Sequence, residues 1–240
     1  MEIKPYKGSF DYSYTLGAFP TIELLRHKSK YVIKVLIHST FKNEEVLNEI
    51  YSLVGREKIE YSDKLISKLS DKENVYIIGI FKKYEMELDK NKDHLVLWNP
   101  SNMGNLGTIL RSSLGFSIKD VAIIKPGVDY FNPKTIRASM GSMFSMNIKF
   151  YDTLEDYSEE FKEHKQYKFM LQAKRSLRDA SFNDKYVSLV FGNEATGIDS
   201  KYLDEDALII RHSNEIDSLN VTNAVSIALY EYHEKKTSRE

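Results

Sequence analysis

The 240 residues carry 34 lysines and arginines against 35 aspartates and glutamates, a formal net charge of −1, with 42% apolar and 29% charged residues. That balance belongs to an ordinary soluble globular protein, long enough for one large domain or two small ones. Cysteine is absent, which excludes disulfides, thiolate zinc sites and cysteine nucleophiles together. No apolar run approaches the ~20 residues that cross a bilayer, and Met1-Glu2-Ile3-Lys4-Pro5-Tyr6 has no apolar signal core. The expectation is a cytoplasmic protein with no membrane partner. The histidines (His27, His38, His94, His164, His212, His233) are scattered, with no His-x-x-x-His pair, so no metal site is expected. Near-neutral charge leaves any nucleic-acid affinity to local patches.

Residues 1–20, punctuated by Gly8, Gly17 and Pro20, read as an irregular arm. Thr21 is placed to cap a short helix through Arg26, and residues 31–37 read as a strand. Asn43 caps a helix with Val46, Leu47, Ile50, Leu53 and Val54 on one face, ended by Gly55. Residues 58–61 form a short strand, Ser62 or Asp63 opens a helix carrying Leu65, Ile66 and Leu69, and residues 75–81 are again a strand. These make a small α/β unit. Within it Arg26-His27-Lys28-Ser29-Lys30, with Lys34, contains no acidic residue. It reads either as a phosphate-contacting patch or as a solvated helix end with cations near its C-terminus. The charge-dense residues 84–93 read as a linker, giving expected domains at 1–90 and 91–240.

From His94 apolar strands alternate with helices. Strands are expected at 95–98, 121–124, 147–150, 168–171, 187–191 and 207–210, and helices at 105–113, 133–142, 154–165 and 218–232. This alternation implies an α/β fold with a mainly parallel sheet and helices on both faces. Ligands in such folds bind beyond the carboxyl ends of the strands.

Three loops stand at such ends. The first, Asn99-Pro100-Ser101-Asn102-Met103-Gly104-Asn105-Leu106-Gly107, leads into a helix whose Arg111 can reach a phosphate or carboxylate near the loop. In the second, Gly192-Asn193-Glu194-Ala195-Thr196-Gly197, Glu194 either serves a site or caps local N–H groups. The third is Ser218-Leu219-Asn220, with two good capping residues, ahead of a helix apolar on nearly every face that should be buried. It reads either as a binding site at a helix N-terminus or as a capped core helix.

Taken in this order, the three loops resemble motifs one, two and three of the SpoU (TrmH-like) RNA ribose 2′-O-methyltransferases, a branch of the SPOUT superfamily. Asn99-Pro100, Gly104-Asn105, Gly107 and Arg111 match the first motif. Residues 189–194 with Gly197 match the second, and Ile209-Ile210 with Ser218-Leu219-Asn220-Val221 the third. Asn132-Pro133-Lys134-Thr135-Ile136-Arg137-Ala138-Ser139-Met140-Gly141 is similar to a further stretch common in the family. The resemblance covers about residues 92–235, and the first 85 residues look more loosely like the L30e-like substrate-binding domain that many members carry.

The resemblance implies a C-terminal trefoil knot, S-adenosyl-L-methionine as cofactor, and a homodimer packed on the knot helices. It implies transfer of a methyl group to a ribose 2′-hydroxyl of rRNA or tRNA. Arg111 would be the catalytic residue, gripping the adjacent phosphate and orienting the hydroxyl, with Asn105, Glu194, Ser218 and Asn220 completing the site. Gly192, Asn193, Ile210 and Leu219 would contact the cofactor. RNA would be held by Arg26, Lys28, Lys30 and Arg137, with Lys174, Arg175 and Arg178 as a further patch. Two positions leave the family pattern: Ala195 stands where glycine is usual, and Arg211-His212 replaces a Pro-Met pair beside the adenine pocket. His212 reads as a pocket-edge residue or a base. A non-catalytic RNA-binding or ribosome-assembly protein on the same scaffold is the alternative from another class, and base methylation is a third reading.

Overall fold

The computed structural model describes residues 2–238; Met1, Arg239 and Glu240, which the expected domain bounds take in, lie outside the described residues. The chain divides into two compact units. The first takes the chain up to Glu85 together with Asp129–Ser145, and the second takes Met86–Val128 and the chain from Met146 onward.

The first unit runs β1 (Tyr12–Tyr14), α1 (Ala18–Lys28), β2 (Val32–Ile37), α2 (Glu44–Leu53), β3 (Ile59–Tyr61), α3 (Asp63–Leu69) and β4 (Ile77–Lys82). Its sheet has the order β1-β4-β2-β3. The expected irregular arm contains a strand: β1 pairs antiparallel with β4, burying Tyr12 and Tyr14 among Leu36, Ile66, Leu69, Ile78 and Ile80. α1 starts three residues before the expected cap. Pro20 falls in its first turn, where a missing N–H costs nothing, and the Thr21 hydroxyl donates back to the Gly17 carbonyl at 2.7 Å. Asn43 caps α2 as expected, its Oδ1 accepting from the Val46 amide at 3.1 Å.

In the second unit β5 (His94–Trp98), α4 (Met103–Gly115) and β6 (Asp120–Ile124) come first; α5 (Pro133–Ala138) then belongs to the first unit. There follow β7 (Asn147–Tyr151), α6 (Leu154–Glu160), β8 (His164–Phe169), β9 (Arg175–Ser176), β10 (Tyr186–Phe191), β11 (Leu208–Ile209) and α7 (Val221–Thr237). The sheet order is β7-β6-β5-β10-β8-β11-β9, and every neighbouring pair runs parallel. Val96, Ala122, Ile124 and Val190 pack against Leu154, Tyr157 and Phe161 of the α6 region. Their alternate neighbours Leu95, Leu97, Val121, Ile123 and Leu189 are also buried, so both faces of the sheet are covered, as all-parallel sheets require.

Several expected boundaries move. Asp129–Ser145, counted by sequence with the C-terminal domain, packs in the first unit, where Phe131 and Phe144 both meet the Phe81 ring. The helix expected over 133–142 ends at Ala138, because Met140 and Gly141 take φ of 54° and 81°. The helix expected to reach Lys165 stops at Glu160, and β8 begins at His164. His164 and Tyr167, buried three apart, imitate helical spacing while serving a strand between β10 and β11. α7 begins after Asn220 and buries one face, Val225, Ala228, Leu229 and Tyr232. Ile227 and Tyr230 on the opposite side are 43% and 53% exposed, so the all-round burial expected of this helix does not occur. Among the described residues no helix is long and apolar enough to cross a membrane.

Candidate functional site

β5, β10 and β8 are adjacent and parallel, so the loops following them leave the sheet from the same end. At that end lies a pocket of about 360 Å³. Its wall is residues 169–172 after β8, residues 191–198 after β10, residues 208–210 with His212 around β11, and Ser218, Leu219, Val221 and Ala224 at the start of α7. Six of the nine expected catalytic and cofactor residues therefore converge: Gly192, Asn193, Glu194, Ile210, Ser218 and Leu219.

The turn after β10 depends on glycine at two positions. A Cβ on Gly192 would lie 2.3 Å from the Gly197 carbonyl carbon, so only hydrogen permits the chain to fold back on itself there. Gly197 supplies the left-handed residue, at φ 68°. Because that φ falls at Gly197 and not at 195, Ala195 is accommodated, and the departure from the family pattern leaves the turn intact. The Asn193 and Gly197 backbones close the turn with reciprocal hydrogen bonds of 3.2 and 3.0 Å. Asn193 Oδ1 accepts from the Ala195 and Thr196 amides at 2.9 and 3.1 Å.

Glu194 ties this turn to the loop after β5. Its Oε2 accepts from Ser101 Oγ at 2.8 Å, from the Ser101 amide at 3.3 Å and from Asn193 Nδ2 at 3.3 Å. Its Oε1 accepts from Asn105 Nδ2 at 3.2 Å. Burial raises the carboxyl pKa, but hydrogen bonds from its own backbone, Ser101 and Asn105 outweigh it and hold the pKa below the ordinary carboxylate value. Glu194 is thus an anion with its lone pairs in use, which suits a structural and electrostatic role better than proton abstraction.

Asn105, Arg111 and Asn220 stand outside the pocket wall. Asn105 joins it through Glu194. Asn220 is the N-cap of α7, its Oδ1 accepting from the Thr222 amide at 2.8 Å and hydroxyl at 2.6 Å. Arg111, one turn beyond the buried Gly107 on α4, is exposed and makes no hydrogen bond or ion pair among the described residues. His212 lines the pocket, and its Nδ1 lies 2.9 Å from the Ile210 carbonyl. A carbonyl only accepts, so Nδ1 is the donor of this hydrogen bond. Arg211 is exposed and off the wall.

The expected RNA contacts lie in the first unit. Arg26 is engaged by Glu23 at 3.0 Å and Glu49 at 2.5 Å. Lys28 Nζ stands 5.1 Å from the Tyr84 ring and Lys30 Nζ 4.9 Å from the Tyr31 ring. Arg137 donates to Asn74 Oδ1 at 3.3 Å. In the second unit Arg175 donates to the Asp179 carbonyl at 3.3 Å, while Lys174 and Arg178 are exposed.

Sequence reasoning gave no role to three contributors, although Asn99 stands among the motif positions. Ser101 is the shortest contact to Glu194. Asn99 adopts φ 47°, and its carbonyl receives Asn193 Nδ2 at 2.7 Å; asparagine is among the few residues that take this conformation readily. Residues 169–172 wall the pocket, with the Phe169 and Phe191 rings stacked 4.3 Å apart and 6° from parallel. No local signal marks them, because only the strand order places the end of β8 beside β10.

The wall carries one carboxylate and no lysine or arginine. Such a pocket, part apolar and part backbone, fits an uncharged ring system joined to a cationic centre, which would meet no like charge there.

Comparison with known proteins agrees with this geometry. Residues 92–230 match the SpoU rRNA methylase family. The chain belongs to that family. A tRNA/rRNA methyltransferase of Synechocystis, so named but uncharacterised, is 30% identical over 57% of the chain and 51% of its own length. The 23S rRNA (guanosine(2553)-2′-O)-methyltransferase RlmP of Bacillus subtilis is 30% identical over 53% of the chain and 52% of its own length. The chain thus spans about half the length of these two relatives. In fold, this SpoU chain is similar to the SpoU methyltransferase AviRb of Streptomyces viridochromogenes, solved in complex with AdoMet. The TM-score is 0.82 at 19% identity, covering 95% of the chain and 91% of AviRb.

Proposed function

We propose that this SpoU family member is an S-adenosyl-L-methionine-dependent methyltransferase that modifies a ribose 2′-hydroxyl in rRNA or tRNA. The observation that carries the reading is the pocket beyond β10, where six motif residues converge on a wall without a single cation. The cofactor supplies an electrophilic methyl group. Gly192, Asn193, Ile210 and Leu219 would hold it largely through backbone, and Glu194, the only carboxylate of the wall, would favour its cationic centre. Arg111, the unpaired cation on α4, grips the phosphate beside the target nucleotide and orients the 2′-hydroxyl. A guanidinium does not give up its proton near neutrality, so positioning rather than proton abstraction is its role. That phosphate would help to accept the proton that the 2′-hydroxyl gives up when the methyl leaves its sulfonium for the oxygen. Asn105 and Ser218 border that approach, with Asn220 fixing the start of α7.

The remaining features follow the family. The segment leading into α7 is threaded as a trefoil knot, and the first unit serves as an L30e-like substrate-binding domain in which Arg26, Lys28, Lys30 and Arg137 meet phosphates. The protein works as a cytoplasmic homodimer through the knot region; the exposed Ile227 and Tyr230 of α7 support that interface. Two measurements test the reading. Calorimetry should find a cofactor site on the full chain, and mapping of 2′-O-methyl groups in RNA from cells with and without the protein should reveal a position that loses its methyl. Absence of cofactor binding at saturating protein would leave a non-catalytic RNA-binding protein on the same scaffold.

A further inference from the structure

Ser101 belongs to none of the motif positions that mark the family, yet it makes the shortest contact to the one carboxylate of the pocket wall. The two loops it joins have no covalent reason to stay together: one follows β5 and the other β10, and 93 residues separate Ser101 from Glu194. Parallel pairing of Leu97 with Phe191 brings the ends of both strands alongside, but beyond those residues the ladder ends. Side chains must carry the connection from there. Two links do so. Asn193 Nδ2 donates to the Asn99 carbonyl at 2.7 Å, and the Glu194 carboxylate gathers Ser101 and Asn105.

Within the second link the roles are unequal. Asn105 reaches Oε1 at 3.2 Å, whereas the 3.3 Å contact of Asn193 with Oε2 lies within the turn itself and does not bridge the two loops. Ser101 gives Oε2 both its hydroxyl, at 2.8 Å, and its amide, at 3.3 Å. Removing the hydroxyl leaves Oε2 with two contacts at 3.3 Å and lets the carboxylate swing about its long bond to Asn105.

The geometry points to Ser101 as a positioning residue that clips the loop after β5 to the pocket-forming turn through Glu194, and so sets the shape of the cofactor wall. Ser101 is not itself on that wall; it acts through Glu194. The inference rests on the reading that the pocket holds S-adenosyl-L-methionine. Ser101 is exposed, so its truncation opens no core cavity, and the variant should fold.

The test is a double-mutant cycle on the full chain, read as S-adenosyl-L-methionine affinity by calorimetry, with thermal melting as a check on folding. Ser101→Ala should weaken binding about fivefold, the effect of losing one partly solvated hydrogen bond. Ser101→Thr keeps the hydroxyl and should restore at least half of the lost affinity. In a Glu194→Ala background, Ser101→Ala should change affinity less than twofold, because the carboxylate it positions is gone. A general loss of stability would not give this non-additive pattern. Ser101→Ala binding as tightly as wild type, or a fivefold loss that persists without Glu194, overturns the inference. Wild type that binds no cofactor overturns the cofactor reading itself, and with it this one.

Discussion

Asn193 donates from Nδ2 to the Asn99 carbonyl across 94 residues of sequence at 2.7 Å, while its Oδ1 accepts from two amides of its own turn at 2.9 and 3.1 Å. No other side chain of that size offers a donor on one arm and an acceptor on the other. Asn193→Asp keeps the shape and the acceptor but sets a negative oxygen against the Asn99 carbonyl and the Glu194 carboxylate. Asn193→Ala removes both arms without introducing repulsion. The aspartate variant should therefore be the worse of the two, with unfolding free energy lowered by about 2 kcal/mol in urea titration and cofactor affinity reduced about tenfold or more. Equal behaviour of the two variants would mean that the donor arm contributes little.

Arg111 separates binding from chemistry. It stands off the pocket wall and has no partner among the described residues, so its substitution should leave cofactor affinity within about twofold. Methyl transfer should fall by about a hundredfold or more in Arg111→Ala, the order seen when one positioned electrostatic contact to a transition state is lost. Arg111→Lys should recover only a minor part, because a point charge cannot make the forked contact to phosphate. Turnover near wild type in the lysine variant would sink the idea of bidentate positioning.

What the sequence made legible follows from what each signal encodes. The loops after β5 and β10 announce themselves because tight turns and close backbone approach demand glycine or asparagine, as Gly192 and Gly197 illustrate. The convergence of Gly192, Ile210 and Ser218 was legible only through motif order, since no local rule reveals which strands are neighbours. Ser101 and residues 169–172 were illegible because their roles arise from tertiary adjacency: serine in a loop and Met170-Leu171-Gln172 after a strand look ordinary until β10 lies between β5 and β8. Boundaries failed where local spacing misled, as at His164 and Tyr167. The partition of the chain failed at Asp129–Ser145, where the ring contacts of Phe131 and Phe144 with Phe81 outweigh sequence continuity.

The buried polar network beneath the sheet predicts a pH response in stability. His94 is fully buried, its Nδ1 2.9 Å from the Tyr157 hydroxyl and its Nε2 2.9 Å from the Asp89 carbonyl. His164 is held likewise between Ser188 Oγ at 3.0 Å and the Lys90 carbonyl at 3.1 Å. Both Nε2 atoms face carbonyls and carry the proton, so each ring is satisfied while neutral. Burial lowers the His94 pKa to about 4 despite the carbonyl contact, and burial lowers that of His164 too. A histidine with a folded pKa below its unfolded value of about 6.5 takes up its proton more readily when unfolded. Stability should then be full above about pH 6.5 and fall as pH drops toward 4, with His94 alone contributing about 3 kcal/mol to the loss. Urea unfolding across this range measures it, and His94→Asn should flatten the slope. A slope unchanged in that variant would assign the acid response to carboxylates.

α7 has two unlike faces. Its buried positions, Val225, Ala228, Leu229 and Tyr232, follow i, i+3, i+4, i+7 and so occupy one face. The helix nevertheless keeps Ile227 at 43% and Tyr230 at 53% exposure on another side, where Tyr230 meets the edge of Phe116 with ring centroids 6.2 Å apart. Large apolar side chains gathered on one exposed helix face mark an interaction surface more often than a solvated one. Covered by the same face of a second copy, they would lie near the two-fold axis of an isologous dimer, so one substitution acts twice. Ile227→Asp with Tyr230→Asp should convert a dimer into a monomer in sedimentation equilibrium. The melting temperature of the monomer itself should change little, because neither side chain is part of its core. Wild type sedimenting as a monomer, or a double variant that remains dimeric, would move the interface away from this face.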